Sequence, residues 1–373
     1  MFKHIKLAAA VLLLSVGFVA CSDDPAPTPT PTPVRGEAGM YIINQGNAYG
    51  KLASSIDFIS FAEGGTNVSG MFQTANQQAL GMGAQKGVVY GSKVYIPMFD
   101  ENKLWVADAT TMKIVGSVQT NAPEAVCGSD GYVFVTNNDG YVTRIDTLEL
   151  HADQPLEVGP NPSGITAFGG KVYAAISDGY NYSAGYVNGF KVAVIDAKTN
   201  TKQKDIAVGM NPTQITSDNL GNVFVVCMGN YADVLPKVWR ITPDNQAKAF
   251  CDGSLIACDN QQRTSRNEAN VDLLYVINSV TDWNTYVTTV TGAVYATTTD
   301  EAEALPTSFL NAEHMPAAPT AIDINPTNGH IFVCSDLSSS DYSSPGYVME
   351  YTINGGFVKQ HQAGVHPYGV MFK

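Results

Sequence analysis

Asn161-Pro162-Ser163-Gly164-Ile165 is followed by Lys171-Val172-Tyr173 and then by Val192-Ala193-Val194-Ile195-Asp196, and this order of runs decides the fold. It returns as Asn211-Pro212-Thr213-Gln214-Ile215, Asn222-Val223-Phe224 and Val238-Trp239-Arg240-Ile241. A third copy reads Ala318-Pro319-Thr320-Ala321-Ile322, His330-Ile331-Phe332 and Tyr347-Val348-Met349-Glu350-Tyr351. Runs rich in Val, Ile, Tyr and Thr, cut by Gly, Asn, Asp and Pro, are short strands joined by turns. The Pro anchors stand at 123, 162, 212, 319 and 367, with one degenerate unit between 212 and 319. Four short strands in a unit of about 40–50 residues is the period of a propeller blade, which a β-sandwich does not show.

Counting units predicts an all-β, seven-bladed β-propeller over residues 39–373. His366-Pro367-Tyr368-Gly369-Val370-Met371-Phe372 is a first-strand motif with no chain after it, while Met40–Asn44 and Ile56–Phe61 read as later strands lacking that first one. The C-terminal strand is therefore expected to complete the first blade and close the ring, which removes an exposed edge. The other blades fall at 84–118, 122–159, 161–208, 211–251, 252–311 and 318–363. The sixth is the least regular, with a second strand at Leu274–Ile277 and a third at Ala293–Ala296.

Composition narrows function before any motif does. Lys and Arg number 21 against 34 Asp and Glu, a net charge of −13 that repels phosphate backbones, so nucleic acid is not an expected partner. Lys3 and Lys6 precede an apolar run ending at Ala20, which makes residues 1–20 a secretory signal and is too short to span a bilayer comfortably. Phe18-Val19-Ala20-Cys21 resembles a bacterial lipobox, which makes Cys21 the lipidation site and the N-terminal lipid the membrane attachment. Ser22-Asp23-Asp24 resembles the acidic tag that sends Bacteroidetes lipoproteins to the outer face of the outer membrane. Residues 21–38, with PAPTPTPTP at 25–33, then form a stiff, extended tether. Cys251 and Cys258 bracket a short segment and are a disulfide candidate; Cys127, Cys227 and Cys334 sit in apolar runs and read as buried thiols.

Val194–Thr201 carries Val-Ile-Asp-x-x-Thr-x-Thr, and with the repeated Asn-Pro-x-x-Ile it resembles the YncE-like, surface-layer-type propellers. Tyr41-Ile42-Ile43-Asn44-Gln45-Gly46-Asn47, the stretch Pro319–Ser335 and the closing Pro367-Tyr368-Gly369 resemble the propeller lipoproteins of gut Bacteroidetes. Among these, the BtuG-type lipoproteins capture cobalamin at the cell surface and pass it to a TonB-dependent transporter. The resemblance implies a cobalamin or corrinoid ligand carried as cargo rather than as a cofactor, and a TonB-dependent outer-membrane transporter as partner. These motifs specify the scaffold; a propeller frame does not establish what its loops bind.

Enzyme signatures are sparse: the chain has no G-x-S-x-G elbow, H-E-x-x-H or Walker loop, and no catalytic set, metal site or cofactor is expected. Gly81-Met82-Gly83-Ala84-Gln85-Lys86 precedes a strand and reads as a turn between blades. His366 reads by default as a turn or cap residue, and Asn137-Asn138-Asp139 as a plain turn. The loops joining second to third strands are more informative, because they share one face with the loops between blades. They carry Tyr49, Phe99, Tyr180, Tyr182, Tyr186, Tyr231, Trp283, Tyr286 and Tyr342 among the polar residues Asn47, Asp100, Asn137, Asp178, Asn230 and Asp336. Aromatic rings among amides and carboxylates suit a large, flat, amphipathic ligand or a partner protein, and these fifteen residues are the candidate ligand site. Three readings stay open: corrinoid capture, attachment to protein or glycan, and a lactonase- or lyase-like enzyme, with binding preferred over catalysis.

Overall fold

Two kinds of strand alternate in burial, and the ring follows from the difference. Second strands such as Lys93–Met98, Tyr132–Asn137, Lys171–Ile176 and Ile331–Asp336 are buried on both faces after their first residue or throughout. Outer strands such as Thr201–Ala207 and Ala247–Asp252 are largely exposed. A strand covered on both faces must lie between two neighbouring sheets, and the continuous apolar runs of the second strands record this. The computed structural model describes residues 37–261, 272–282, 284–285, 287–299, 301–305 and 308–373.

Seven antiparallel sheets form a ring. The first blade combines Pro367–Phe372, Gly39–Asn44 and Ser55–Ser60. The second to fifth blades run from Val88 to Gln119, Pro123 to Glu157, Pro162 to Ala207 and Pro212 to Asp252, and the seventh from Ala318 to Val365. The sixth holds Leu255–Asp259, Leu273–Asp282 and Val287–Ala296. In the first and sixth blades the fourth position is reduced to single bridges, Phe58 with Val68 and Tyr295 with Ala304. The second and third strands include the expected Leu274–Ile277 and Ala293–Ala296, with Leu274 opposite Tyr295, but both run ten residues. The Val- and Thr-rich continuations Asn278–Asp282 and Val287–Thr291 favour strand and prolong the ladder.

Closure is as expected. Met40 opposes Phe372, Tyr41 opposes Met371 and Ile42 opposes Val370. Seven hydrophobic clusters fill the seven interfaces between blades. The closing strand serves two of them: Val370 joins Phe332 and Val348 of the seventh blade, while Met371 joins Val94 and Ile96 of the second. A short helix that the strand pattern does not announce, Met71–Asn76, adds Phe72 to the latter cluster.

Cys251 and Cys258 are unbridged, contrary to the loop clip their spacing suggests. They belong to different blades: Cys251 opposes Val238 in the outer strand of the fifth, and Cys258 opposes Leu274 in the inner strand of the sixth. Burial pushes the Cys251 thiol up to about 12, where it meets the Tyr295 phenol rather than a second sulfur. Cys127, Cys227 and Cys334 are buried free thiols.

Deleting residues 365–373 should lower stability by at least ~3 kcal/mol from the lost burial of Val370 and Met371 alone. Urea denaturation checks this, and an unchanged midpoint would mean that the ring is not held by this strand.

Candidate functional site

The site begins at the corners between blades. Ala122, Asn161, Asn211 and His366 each precede the first Pro of an inner strand, and each has a left-handed backbone, with φ of 44°, 45°, 56° and 52°. Their carbonyls accept the amides of Asn138, Ser177, Met228 and Gln45 at 3.0, 3.1, 2.9 and 2.9 Å. Each corner thus latches the end of its own blade's second strand, where the loop to the third strand starts. Directly after the Pro the register slips, at 123/125, 162/165, 212/214 and 319/321, with a matching irregularity opposite Pro367. A bulge re-aims the extra side chain. Here Glu124, Ser163, Thr213, Thr320 and Tyr368 converge with Lys86 on one axial cavity of about 480 Å³.

The channel chemistry is mixed. Glu124 Oε1 accepts Asn138 Nδ2 at 2.6 Å, yet burial pushes its carboxyl above the ordinary value. Burial lifts the Tyr368 phenol to about 12, assisted by Glu124 and Tyr231. The His366 ring stacks on Tyr368 at 5.6 Å, and its Nδ1 lies 2.6 Å from Asp336 Oδ2. Lys86 is ion-paired with Asp323, whose carboxyl burial holds above its usual range despite that cation. A second cavity of about 490 Å³ opens between the Tyr231–Pro236 loop and the strand end at Ser279–Asp282. The two cavities share Met228, Tyr231, Ser254 and Leu255 and so lie side by side.

Residues 38–334 match the family described as Domain of unknown function (DUF5074). The chain belongs to the DUF5074 family. No curated protein matches it. Among solved structures, this DUF5074 propeller is similar to a quinonprotein alcohol dehydrogenase-like protein from Bacteroides thetaiotaomicron, at 15% identity and TM-score 0.60, covering 90% of this chain and 78% of that one. It is also similar to the hydrazine synthase of Kuenenia stuttgartiensis, at 15% identity and TM-score 0.57, covering 75% and 87%. A functionally unknown protein from Desulfotomaculum acetoxidans matches at 12% and 0.52, covering 72% and 79%. At these identities the likeness is one of fold.

The fifteen candidate residues of this DUF5074 chain divide by environment. Tyr49, Tyr180, Tyr182, Tyr231 and Tyr342 are exposed, from 103% for Tyr49 to 50% for Tyr342. Phe99 is half-buried and Asp100 exposed. Tyr186 is a correction: it is 4% exposed and left-handed at φ 55°, its amide donating back to the Asn181 carbonyl of the turn Gly179–Ala184 at 3.1 Å and its carbonyl accepting the Gly189 amide at 2.7 Å. Loop self-packing claims it. The polar residues mostly brace the loops. Asn47 Nδ2 donates to the Tyr342 carbonyl at 2.8 Å, Asp178 Oδ2 accepts the Asn188 amide at 2.9 Å, and Asn230 Oδ1 accepts the Val234 amide at 2.9 Å. Asn137 Nδ2 donates to Thr143 Oγ1 at 2.8 Å, leaving its buried Oδ1, like Asp336 Oδ1, without a partner among the described residues. Cys21, Trp283 and Tyr286 lie outside the described residues.

Sequence reasoning missed the floor of the recess: Glu124, Tyr368, Met228 and Leu255. The available signal was position, since Glu124 and Tyr368 each stand one residue past a Pro anchor. Because its folded-state pKa is raised, Glu124 opposes folding when ionised: wild type is favoured below the ordinary carboxylate range and loses that advantage as pH rises through the raised value. Glu124→Gln should therefore have the higher urea midpoint at neutral pH, the gap closing in acid. A gap independent of pH would contradict the buried, ionisable placement.

Proposed function

We propose that this DUF5074 protein is an outer-membrane surface lipoprotein, anchored through Cys21, that captures a corrinoid such as cobalamin for delivery to a TonB-dependent transporter. One observation carries the reading: an axial recess lined by Tyr231 and Tyr368, with a second cavity adjoining it at Tyr231, lies in the same ring as exposed Tyr49, Tyr180, Tyr182 and Tyr342. A corrin has an apolar ring face and amide arms that need hydrogen bonds. Tyr rings supply flat contact area at low entropic cost, and each phenol adds a donor. Ser163 and Thr213 offer hydroxyls to amide arms. The acidic surface attracts a nearly neutral ligand little, so binding should respond weakly to salt.

Calorimetry of the purified protein with cyanocobalamin, at low and high salt, tests this. Tyr231→Ala and Tyr368→Ala should each weaken binding by roughly 1–3 kcal/mol if these rings are anchors. Absence of heat at millimolar ligand would discard the corrinoid and leave attachment to protein or glycan as the function. Undiminished binding in both variants would keep the ligand and move the site.

A further inference from the structure

The sixth blade carries an arm. Its inner strand, Leu255–Asp259, pairs only with Leu273–Ile277, so among the described residues the second strand has a strand neighbour on one side alone from Asn278 to Asp282, namely Val287–Thr291. Backbone alternation identifies the leftover groups. The Ile277 carbonyl accepts the Ser254 amide at 2.8 Å, and the Ser279 amide donates to Ser254 Oγ at 3.0 Å. Odd-numbered residues thus face the inner-strand side, and the Ser279 carbonyl and both backbone groups of Thr281 come next on that edge. Natural edges are blunted by Lys, Pro or a bulge. Asn278-Ser279-Val280-Thr281-Asp282 contains no Lys or Pro, and its register is unbroken.

This edge forms one wall of the 490 Å³ cavity; the other wall is Val234, Leu235 and Pro236, with Leu235 56% exposed. The edge from Ser279 to Asp282 is roughly 14 Å long at ~3.4 Å per residue. Carboxylates stand at its margins. The Asn230 side chain holds Asp233 below the usual carboxylate range, and the Asn284 amide does the same for Asp282, so both are charged at neutral pH.

We propose that this groove takes an extended segment of a partner polypeptide, added as a further strand on Ser279–Asp282, with alternate apolar side chains against Val234 and Leu235 and basic flanks near Asp233 and Asp282. An unsatisfied strand edge selects an extended backbone, the apolar wall selects period-two side chains, and the acidic margins select positive ends. The assignment does not depend on the corrinoid reading.

The test uses fluorescein-labelled Lys-Val-Thr-Val-Thr-Val-Lys, titrated by anisotropy against the purified protein without corrinoid. Two N-methylated forms accompany it, one blocked at the Val amides and one at the Thr amides. A strand pairs through one edge, so one form should lose about tenfold or more in affinity and the other should not. Thr281→Pro, whose amide faces the groove and not the hairpin ladder, should abolish binding with an unchanged far-UV spectrum. Leu235→Glu should weaken it. No binding of the parent peptide, equal behaviour of the two methylated forms, or full binding by Thr281→Pro overturns the proposal. A wild-type protein that sediments as a dimer while Thr281→Pro is a monomer also overturns it, by giving the edge to a second copy.

Discussion

A non-glycine residue in the left-handed region costs roughly 1–2 kcal/mol, and four corners of this ring accept that cost immediately ahead of a proline. Proline fixes its own φ and keeps the residue before it out of the right-handed helical region, so the corner cannot relax into a helical turn. What offsets the strain is visible at each site. The corner carbonyl receives the amide at the end of the second strand. Asn161 and Asn211 add side-chain bonds to Asn138 and Gly229, and His366 adds its contact with Asp336. The same corner launches the bulge that turns the next side chain toward the axis. At these four corners, loop position and channel lining are therefore consequences of one backbone conformation, while the bulge at Pro319 forms without it.

Closure depends on a second junction, shared by three blades. Asp323 of the seventh blade accepts the Val370 amide of the closing strand at 2.8 Å and pairs with Lys86 at the entry to the second. Burying a carboxylate is costly unless it is paired and hydrogen-bonded, and here both partners come from the elements that meet at the seam. Val370 and Met371 then point to opposite faces of their sheet, as period two requires, and fill the interfaces on either side.

The blade repeat was legible because Pro anchors and doubly buried second strands leave strong local patterns. Ring closure was legible because a lone first strand at the C-terminus faced an incomplete blade at the other end. The arm of the sixth blade was not, since Val and Thr runs state that a strand exists but not where its neighbour stops. Tyr49, Tyr180, Tyr182, Tyr231 and Tyr342 were readable as exposed rings because they sit among turn residues. Tyr186 sits among the same residues and shares its left-handed backbone with exposed Tyr231, so what buries it is the packing of its own loop, which composition does not encode. Glu124 and Tyr368 stayed hidden because a bulge breaks the alternation from which facing is inferred.

The recess bounded by Tyr231 and Tyr368 is the proposed corrinoid site. A crystal structure of the protein grown with saturating cyanocobalamin decides whether it is occupied. Corrin density over the axial mouth, in contact with both rings, is the predicted result. Density on the opposite face, against the turns at Phe168–Gly170 and Asn219–Gly221, or an empty recess at saturation, would contradict it.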